Sequence, residues 1–443
     1  MNFLKGRRAY LHTLGCRVNQ SESAMFADAL AKAGFEILST NDNADLIILN
    51  SCALTEFAEA KTRRALKNFK KKNPKVFVCV TGCYAQTNAE ALQKAGADCV
   101  ISNLEKGALV ELLLADYYKG GCFVEKNSFE GERSVRKRVA ADVGFSGAAE
   151  LSDRMNLKIQ DGCDNACAYC IIPRARGLPR SRKISDIIAD ARNLVSRGVC
   201  EIILTGINMS KFDASIVDLC DRLNDIPDLK RIAIGSLEPP VPALEKLARR
   251  MADGGHKLAK HFHISLQSAS DNVLKAMRRK YSVAEFLDAI KTAKEIDPSI
   301  SVGTDIICGF PTETEEDFEE TLRNVKNSGL SFLHVFTYSA RPNTLAAQMK
   351  APPLAQRKAR ADKLRLLGDS LRADFMKSRV GQRAEVLLEN RLKSGEYLGY
   401  TENYIQCEVA IPQAGLKNRM AEVVMQGIAP NGNAVCKFEA LVP

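Results

Sequence analysis

The stretch NLKIQDGCDNACAYC (residues 156–170) joins a strand pattern to three closely spaced cysteines, Cys163, Cys167 and Cys170. A strand that ends in such a loop is typical of β/α barrels, which carry their chemistry at the carboxyl ends of their strands. Thiolates suit zinc or iron–sulfur clusters. Structural zinc normally takes four protein ligands, and the nearest histidines lie far along the chain, at His256, His261 and His263. The C-x3-C-x2-C spacing therefore favours an iron–sulfur site, with zinc through a returning histidine and inert thiols as alternatives.

The alternation of strand and helix patterns continues beyond this stretch, over residues 155–339. Six apolar segments are expected to form strands: NLKIQ, EIILTGI, RIAIGSL, HFHISL, SVGTDIICG and FLHVFTYS. A helix pattern follows each of them except the last. Six such units are too few for a closed eight-stranded barrel, so they predict a partial, TIM-like (β/α)6 barrel.

The regions on either side have different patterns. Before the barrel, AYLHTLG, DLIILNS and VFVCVTG alternate with helix patterns, which predicts a doubly wound α/β domain. After it, a helix over residues 354–377 precedes short strand patterns with turn signals, which predict a small antiparallel β-barrel. We expect an α/β chain with domains at 1–118, 153–378 and 379–443, and a linker at 119–152 that contains the basic run RSVRKR.

The N-terminal domain contains a second set of three cysteines: Cys16 in TLGCRVNQSES, Cys52 in LNSCALTE and Cys83 in VTGCYAQ. Each follows a predicted parallel strand by one to three residues. Because the carboxyl ends of parallel strands line one crevice, these cysteines can converge. Small or turn-forming neighbours allow close approach of the backbone to a cofactor, namely Gly15, Asn50, Ser51 and Gly82. Three ordinary thiols at strand ends are the alternative.

The composition limits the location and the partners of the protein. The 443 residues contain 14 cysteines and carry a formal net charge of +10. The N-terminus lacks the apolar segment of a secretory signal, and no run of about 18 apolar residues occurs, so we expect a cytoplasmic protein with reduced thiols. The eight cysteines outside the two triads receive no ligand role, since buried cysteine commonly behaves as a small hydrophobe.

The positive charge suits a polyanionic partner such as nucleic acid. The segment KTRRALKNFKKK (residues 61–72) has seven basic residues and no acidic one. With RSVRKR and RARGLPRSRK (residues 174–183) it predicts an RNA path across the first two domains, and a solvated surface helix is the alternative. The C-terminal barrel is neutral, with seven basic residues against seven glutamates. Its tyrosines Tyr397, Tyr400 and Tyr404 either stack bases or fill the barrel.

The motifs together resemble the radical S-adenosylmethionine (SAM) superfamily, and CDNACAYCIIPRARG (residues 163–177) is similar to the methylthiotransferases within it. TLGC, NSC and TGC match the N-terminal domain of those enzymes, and the C-terminal barrel resembles a TRAM domain. The resemblance implies two [4Fe-4S] clusters, one on each cysteine triad and each with one open iron. SAM would occupy the open iron on Cys163, Cys167 and Cys170, and sulfur the other.

The resemblance also implies contacts to SAM. Tyr169 corresponds to an aromatic residue near the adenine, and Thr205 and Gly206 in LTGIN take the place of the usual GGE-like motif. The strand ends GSLEP, SLQS and TDIICGFP supply candidates for ribose, carboxylate or substrate contacts: Ser236, Glu238, Gln267 and Asp305. Packing of the loop at Tyr169 and structural roles for the strand-end polar groups are the alternatives.

Among the methylthiotransferases, TLGCRVNQSES, LTGIN, HFHISLQS and HVFTYSARPNT look most like the branch that modifies N6-threonylcarbamoyladenosine beside the anticodon of tRNA. The implied partners are tRNA, an electron donor such as flavodoxin or ferredoxin, and a sulfur donor. Rival substrates are isopentenyladenosine in tRNA and an aspartate of a ribosomal protein. A non-enzymatic zinc- and RNA-binding protein is the hypothesis from a different class.

Overall fold

The computed structural model describes residues 7–117, 145 and 154–442. The chain divides into two compact units. The first comprises Met1–Arg197, Thr205–Asp213 and Ser339–Gln348, and the second comprises Gly198–Leu204, Ala214–Tyr338 and Met349–Pro443. The predicted linker, with RSVRKR and Cys122, lies outside the described residues apart from Phe145, and the predicted domain boundaries stay predictions. Over the described ranges, no helix is long and apolar enough to cross a membrane.

A five-stranded parallel sheet begins the first unit. Its strands are β1 (Arg8–Thr13), β2 (Glu36–Leu38), β3 (Leu46–Ser51), β4 (Phe77–Gly82) and β5 (Cys99–Val100), in the order β2-β1-β3-β4-β5. Its helices are α1 (Arg17–Lys32), α2 (Glu56–Lys72), α3 (Cys83–Thr87), α4 (Ala89–Lys94) and α5 (Leu109–Tyr117). The three predicted strands are present. The sequence analysis missed β2 and β5, which are too short to show an apolar period.

The sheet is buried on both faces, as a doubly wound domain requires. Every residue of β3 is buried. Ile47 and Leu49 pack into one apolar core, and Leu46 and Ile48 pack into another. Because successive side chains of a strand point to opposite faces, these two cores lie on opposite faces of the sheet.

The rest of the first unit contains short elements around the C-x3-C-x2-C loop. They are β6 (Arg154–Lys158), β7 (Gln160–Asp161), α6 (Ile172–Arg176), β8 (Arg180–Ser181) and α7 (Ile184–Ser196). Strands β7 and β8 pair antiparallel. The cysteine loop therefore begins at the end of one strand and closes on a short helix.

Strands and helices alternate in the second unit. Its strands are β9 (Glu201–Thr205), β10 (Arg231–Ile234), β11 (Ser236–Leu237), β12 (His261–Ile264), β13 (Ser301–Cys308) and β14 (Phe332–Thr337), and the last residue of β9 belongs to the first unit. Its helices are α8 (Ile216–Asn224), α9 (Leu244–Ala252), α10 (Asp271–Ala276), α11 (Val283–Ile296) and α12 (Glu315–Lys326). Strands β9 and β10 pair in parallel, as do the strands of the sheet β11-β12-β13-β14. All six predicted segments form strands, and the α/β fold class is confirmed.

The second unit ends in helix α13 (Leu354–Lys377) and a closed five-stranded barrel. The barrel strands are β15 (Arg383–Arg391), β16 (Tyr397–Thr401), β17 (Gln406–Val409), β18 (Met420–Ile428) and β19 (Ala434–Leu441), in the order β15-β16-β17-β19-β18. Strands β17 and β19 pair in parallel, and the other barrel neighbours pair antiparallel. The small barrel is confirmed, but the prediction that it is antiparallel throughout is wrong for the pair β17 and β19.

Gly303 in β13 tests how tightly the strands of the second unit pack. A Cβ atom at this position would lie 2.0 Å from a ring carbon of Phe332 on the neighbouring strand. We expect Gly303→Ala to destabilise the protein by about 1–3 kcal/mol through overpacking, measured as a lower urea midpoint by circular dichroism. The control is Gly427→Ala in β18, where an added Cβ meets no atom within 4 Å. Equal urea midpoints for Gly303→Ala and Gly427→Ala would contradict tight packing between Gly303 and Phe332.

Candidate functional site

The cysteines of the N-terminal sheet lie at the ends of three adjacent parallel strands. Cys16 is the N-cap of α1 after β1, Cys52 follows β3 directly, and Cys83 begins α3 after β4. The strand order reverses between β1 and β3, and in open α/β sheets ligands bind at such a switch point. The predicted placement of all three cysteines at strand ends is therefore confirmed.

Two glycines allow the loops of these cysteines to meet. Gly15 has φ +109°, and a Cβ there would lie 2.9 Å from the Cβ of Cys52 and 3.2 Å from its sulfur. Gly82 has φ +95°, and a Cβ there would lie 2.4 Å from the carbonyl oxygen of Ser51. Any larger side chain would push the loops apart, so both positions require glycine.

Buried amides hold the same loops in place. The Asn19 side chain donates to the carbonyl oxygens of Leu14 (2.8 Å) and Ser51 (3.0 Å). Asn50 donates to the carbonyl oxygen of Asn19 (2.9 Å). The sequence analysis noted Asn50 and Ser51 but missed Asn19, whose position one turn after Cys16 in GCRVNQ was the available signal.

The C-x3-C-x2-C loop folds back on the segment that follows it. The amide of Cys163 donates to the carbonyl oxygen of Gly177 (2.9 Å), and that of Cys170 to Cys167 (3.1 Å). Gly162 has φ +74°, and a Cβ there would lie 2.0 Å from the carbonyl oxygen of Leu178. Cys163 is buried, whereas Cys167 and Cys170 are half-buried.

Gln160 connects this loop to the LTGIN segment, and the sequence analysis missed it. Its Nε2 donates to the carbonyl oxygens of Asp161 (2.9 Å) and Gly162 (2.8 Å), and its Oε1 accepts from the amide of Asn208 (2.9 Å). A Cβ at Gly206 would lie 3.1 Å from the same Oε1. The backbone at Gly206 therefore lies beside the start of the cysteine loop.

Arg176, in α6, connects the two cysteine regions. Its Nε donates to the sulfur of Cys83 (3.2 Å), and its Nη1 donates to Glu22 Oε1 and Asp161 Oδ1, both at 3.0 Å. The side chain is 2% exposed. The prediction that RARGLPRSRK forms part of an RNA path is therefore wrong for Arg176, because this cation is buried among anionic partners. Arg174 and Lys183 of the same run are exposed.

Two lysines complete a buried charge cluster with these residues. Lys158 lies 3.0 Å from Glu22, and Lys106 lies 3.0 Å from Asp161 and also contacts Glu22. Burial alone would raise the pKa of Glu22, but Arg176, Lys106 and Lys158 hold it well below its usual value. Among the described residues, this cluster has three buried cations and two buried carboxylates. Thiolate charge at the neighbouring Cys83 would balance the surplus.

The thiols themselves are costly to ionise. Burial raises the pKa of Cys52 to about 12, and the neighbouring Cys83 adds to the rise. Burial also raises the pKa of Cys16, although Arg176 opposes this. Since metals bind the deprotonated thiol, the cysteines need a cationic metal group together with Arg176 to become thiolates.

The spacing of the sulfurs fits a polynuclear group better than a single ion. Tetrahedral zinc with Zn–S bonds of about 2.3 Å requires sulfurs about 4 Å apart. Within the described ranges, neither cysteine triad brings its three sulfurs within 4.8 Å of one another. Soft thiolates in a triad without a fourth protein ligand fit an iron–sulfur cluster.

The other cysteines are consistent with the absence of a ligand role. The thirteen described cysteines are free thiols. Outside the triads, six are buried, namely Cys79, Cys99, Cys220, Cys308, Cys407 and Cys436. Cys200 is half-buried and lies 3.2 Å from the carbonyl oxygen of Asn418.

The predicted strand-end contacts of the second unit have protein partners. Ser236 Oγ lies 2.9 Å from His263 Nδ1, and Glu238 lies 3.4 Å from Arg279. Gln267 has φ +73°, and its amide donates to the carbonyl oxygen of Asp305 (2.8 Å). In the first unit, Tyr169 is half-buried and Thr205 is buried. Their roles in SAM binding stay predictions.

Helix α2 displays most of its basic residues. Thr62, Leu66 and Phe69 are buried. Arg63 donates to the Tyr84 hydroxyl, and Lys70 and Lys72 pair with carboxylates. Five cations of the helix are exposed: Lys61, Arg64, Lys67, Lys71 and Lys72. Of these, Lys72 pairs with Asp42.

The C-terminal tyrosines have different surroundings. Tyr397 is 2% exposed in the barrel core, where its hydroxyl donates to the carbonyl oxygen of Gln413 (3.2 Å). Tyr404 stacks on His261 with ring centroids 4.7 Å apart, and on Tyr400 at 5.1 Å. Tyr397 therefore fills the barrel, and Tyr404 packs against a strand of the same unit.

Comparison with known proteins shows two family matches and several similar relatives. Residues 157–325 match the radical SAM superfamily, and residues 8–102 match the uncharacterized protein family UPF0004. The threonylcarbamoyladenosine tRNA methylthiotransferase MtaB of Bacillus subtilis is 35% identical, over 89% of this chain and 88% of its own length. The protein of the same name from Aquifex aeolicus is 35% identical, over 89% of this chain and 94% of its own length.

A relative with a different substrate in its name is also similar. The tRNA-2-methylthio-N(6)-dimethylallyladenosine synthase of Bacillus subtilis is 34% identical, over 90% of this chain and 79% of its own length. Among solved structures, the radical SAM methyltransferase TsrM from Kitasatospora setae aligns with a TM-score of 0.56 at 13% identity, over 77% of this chain and 74% of TsrM. The likeness to TsrM concerns the fold alone.

The buried charge cluster leads to a stability prediction at Glu22. Removing one partner of a buried ion pair leaves uncompensated charge, so Glu22→Gln is expected to lower the free energy of unfolding by about 3–5 kcal/mol at neutral pH. Because the folded pKa of Glu22 lies below its unfolded value of about 4.3, this difference is present above that pH and shrinks as the pH falls towards the folded pKa. Urea titrations at several pH values measure it.

The matched control is Glu90→Gln, which removes an exposed carboxylate paired with Lys94. No measurable change in stability is expected there. A Glu22→Gln variant as stable as wild type at neutral pH would show that this carboxylate does not compensate the buried cations.

Proposed function

Because the chain belongs to the family of radical SAM methylthiotransferases, we propose that it converts N6-threonylcarbamoyladenosine beside the anticodon of tRNA to its 2-methylthio derivative. The observation that carries this proposal is the connection of two open cysteine triads within one unit through Arg176. The share of each relative's length that the chain spans supports this choice of substrate. The chain spans 88% and 94% of two relatives named for this substrate, but 79% of the dimethylallyladenosine synthase.

The cofactors of this proposal are SAM and two [4Fe-4S] clusters. Cys163, Cys167 and Cys170 would hold the cluster that binds SAM, and a second set would hold the cluster that delivers sulfur: Cys16, Cys52 and Cys83. When bound, these cofactors supply the radical chemistry that the C2–H bond of adenine needs, since this bond offers no acidic proton to a side-chain base.

The protein's own residues position the loops that would hold the clusters and compensate the charge of the cysteines. Gln160 and Gly162 fix the start of the SAM-cluster loop, and Gly15 and Gly82 allow the loops of the second triad to come together. Arg176 supplies a buried positive charge at Cys83. The SAM contacts predicted at Tyr169, Thr205, Gly206, Glu238 and Gln267 stay proposals.

The remaining partners follow from the chemistry. Radical generation needs an electron donor, such as flavodoxin or ferredoxin, and repeated turnover needs a sulfur donor. We assign the enzyme to the cytoplasm, where tRNA substrates occur. The exposed cations of α2 supply a surface for tRNA phosphates.

Nucleoside analysis tests the proposed function. In a deletion strain of the source organism, mass spectrometry of tRNA nucleosides is expected to show loss of 2-methylthio-N6-threonylcarbamoyladenosine, with the 2-methylthio isopentenyl derivative unchanged. Complementation with Cys16→Ala or Cys167→Ala should fail, because each removes one cluster ligand. Complementation with Cys200→Ala should succeed, since this cysteine lies outside both triads.

The purified, anaerobically reconstituted proteins provide a second measurement. About eight irons per chain are expected for wild type and Cys200→Ala, and about four for each triad variant. Loss of the isopentenyl derivative instead would reassign the substrate, and normal tRNA with an altered ribosomal protein would indicate the aspartate-modifying activity. Zinc without iron in the wild type would refute the cluster assignment.

The tRNA surface on α2 is tested by salt dependence. Replacing Lys61, Arg64, Lys67 and Lys71 together by Gln is expected to weaken tRNA binding. If all four contact phosphates, the slope of log affinity against log salt should fall by about 3. Filter binding over a salt series measures the slope. The control is the double variant Lys246→Gln, Lys291→Gln on helices of the second unit, and an identical slope in the α2 variant would place the RNA elsewhere.

A further inference from the structure

Three metal-binding side chains meet on neighbouring strands of the second unit. His263 lies on β12, Asp305 on β13 and His334 on β14. Asp305 stands directly opposite His334 in the parallel register. Oδ1 of Asp305 is 3.3 Å from Nε2 of His263 and 3.4 Å from Nδ1 of His334, and the three ligand atoms all lie within 4.8 Å of one another. Neither cysteine triad contributes to this group.

The orientation of His263 leaves one ring nitrogen directed into the group. Its Nδ1 is 2.9 Å from the hydroxyl of Ser236. Its Nε2 has no hydrogen-bond partner, although the side chain is only 9% exposed. With Nδ1–H donated to Ser236, the Nε2 lone pair and the Asp305 carboxylate face each other as two acceptors. A buried polar atom without a partner is costly, and a cation between these atoms would satisfy both.

A second histidine–aspartate pair in the same unit provides a comparison, because its carboxylate also binds an arginine. His256 Nε2 lies 3.3 Å from Asp221, and Arg250 also binds this carboxylate with two bonds, at 2.6 Å and 2.8 Å. Asp221 therefore has a permanent cation. Within the described part of the chain, Asp305 has no lysine or arginine within ion-pair distance, and its ion-pair neighbours are the two histidines.

We propose that His263, Asp305 and His334 bind a divalent transition-metal ion and that Ser236 orients His263. Imidazole and carboxylate ligands suit zinc and related metals. A metal-bound histidine usually donates its other ring N–H to a neighbouring acceptor, which is the position of the Ser236 hydroxyl. In place of the predicted contacts to SAM or substrate, this site gives Asp305 a metal-binding role and gives Ser236 the role of orienting His263.

The geometry also provides an open position and an entry path. Three protein ligands leave one coordination position of a tetrahedral ion for water or another small ligand, as in catalytic zinc sites. The His334 side chain is 51% exposed. An ion can therefore approach the site from the exposed side of His334.

Zinc loading of the holoenzyme tests this site. The protein is first reconstituted with iron and sulfide, so that the triad cysteines are occupied, then equilibrated with Zn²⁺ and desalted anaerobically. Elemental analysis is expected to find about one zinc per chain with unchanged iron. X-ray absorption at the zinc edge should show nitrogen and oxygen ligands at about 2.0–2.2 Å, without sulfur at about 2.3 Å.

Single variants locate the zinc. His263→Gln, Asp305→Asn and His334→Gln are each expected to weaken zinc binding at least tenfold, and Ser236→Ala about 10- to 100-fold. The control is His256→Gln, which should bind zinc as wild type does. Since His334 is half exposed on its strand, His334→Gln is the variant expected to fold normally, and circular dichroism checks this.

Three outcomes would overturn the proposal: no zinc in the wild-type holoenzyme, zinc retained by His334→Gln, or a zinc signal dominated by sulfur ligands. The zinc measurement needs no tRNA. Methylthiolation with no bound zinc would therefore refute this site and leave the proposed function intact. Bound zinc without methylthiolation would support this site and refute the proposed function.

Discussion

The cysteine sites of the first unit depend on one buried guanidinium group. Arg176 is 2% exposed and contacts Cys83, Glu22 and Asp161. Removing a charge from water costs several kcal/mol per ion, so this cation is stable inside only because carboxylates and a thiol surround it. The same bonds fix α6, directly after one cysteine triad, against the loops that hold the other. A rigid set of charge contacts, rather than loop flexibility, therefore sets how the two triads are placed.

Within the N-terminal sheet, strand topology determines where the cysteines lie. Cys16, Cys52 and Cys83 are about thirty residues apart in the sequence, but the order β2-β1-β3-β4-β5 places the ends of β1, β3 and β4 side by side. Glycine at positions 15 and 82 then removes the side chains that would separate the loops. Strand order and two glycines thus collect three thiols that are far apart in the sequence. The other triad needs no such topology, because C-x3-C-x2-C places its three thiols within one short loop.

The sequence predicted those elements whose signals are local. Helix α13 begins and ends where the pattern indicated, and β3 and β4 match to within one residue. The sequence could not show that Arg176 is buried, because its partners Glu22 and Cys83 lie 154 and 93 residues away. In the sequence, a run of basic residues looks the same whether its side chains are exposed to water or buried against carboxylates. Likewise, Asp305 was a candidate by itself, but only the strand register reveals His334 beside it.

The two units therefore offer metals two different donor sets. Thiolates of the first unit are soft ligands, whereas the imidazoles and the carboxylate of the second unit suit harder or borderline ions. Zinc binds thiolates as well as imidazoles. Among the described residues, neither triad brings its three sulfurs close enough for one tetrahedral zinc, but single thiolates would still compete with His263, Asp305 and His334 for the same ion. Iron–sulfur clusters that occupy the thiolates remove this competition, so loading the clusters first directs added zinc to the nitrogen–oxygen site.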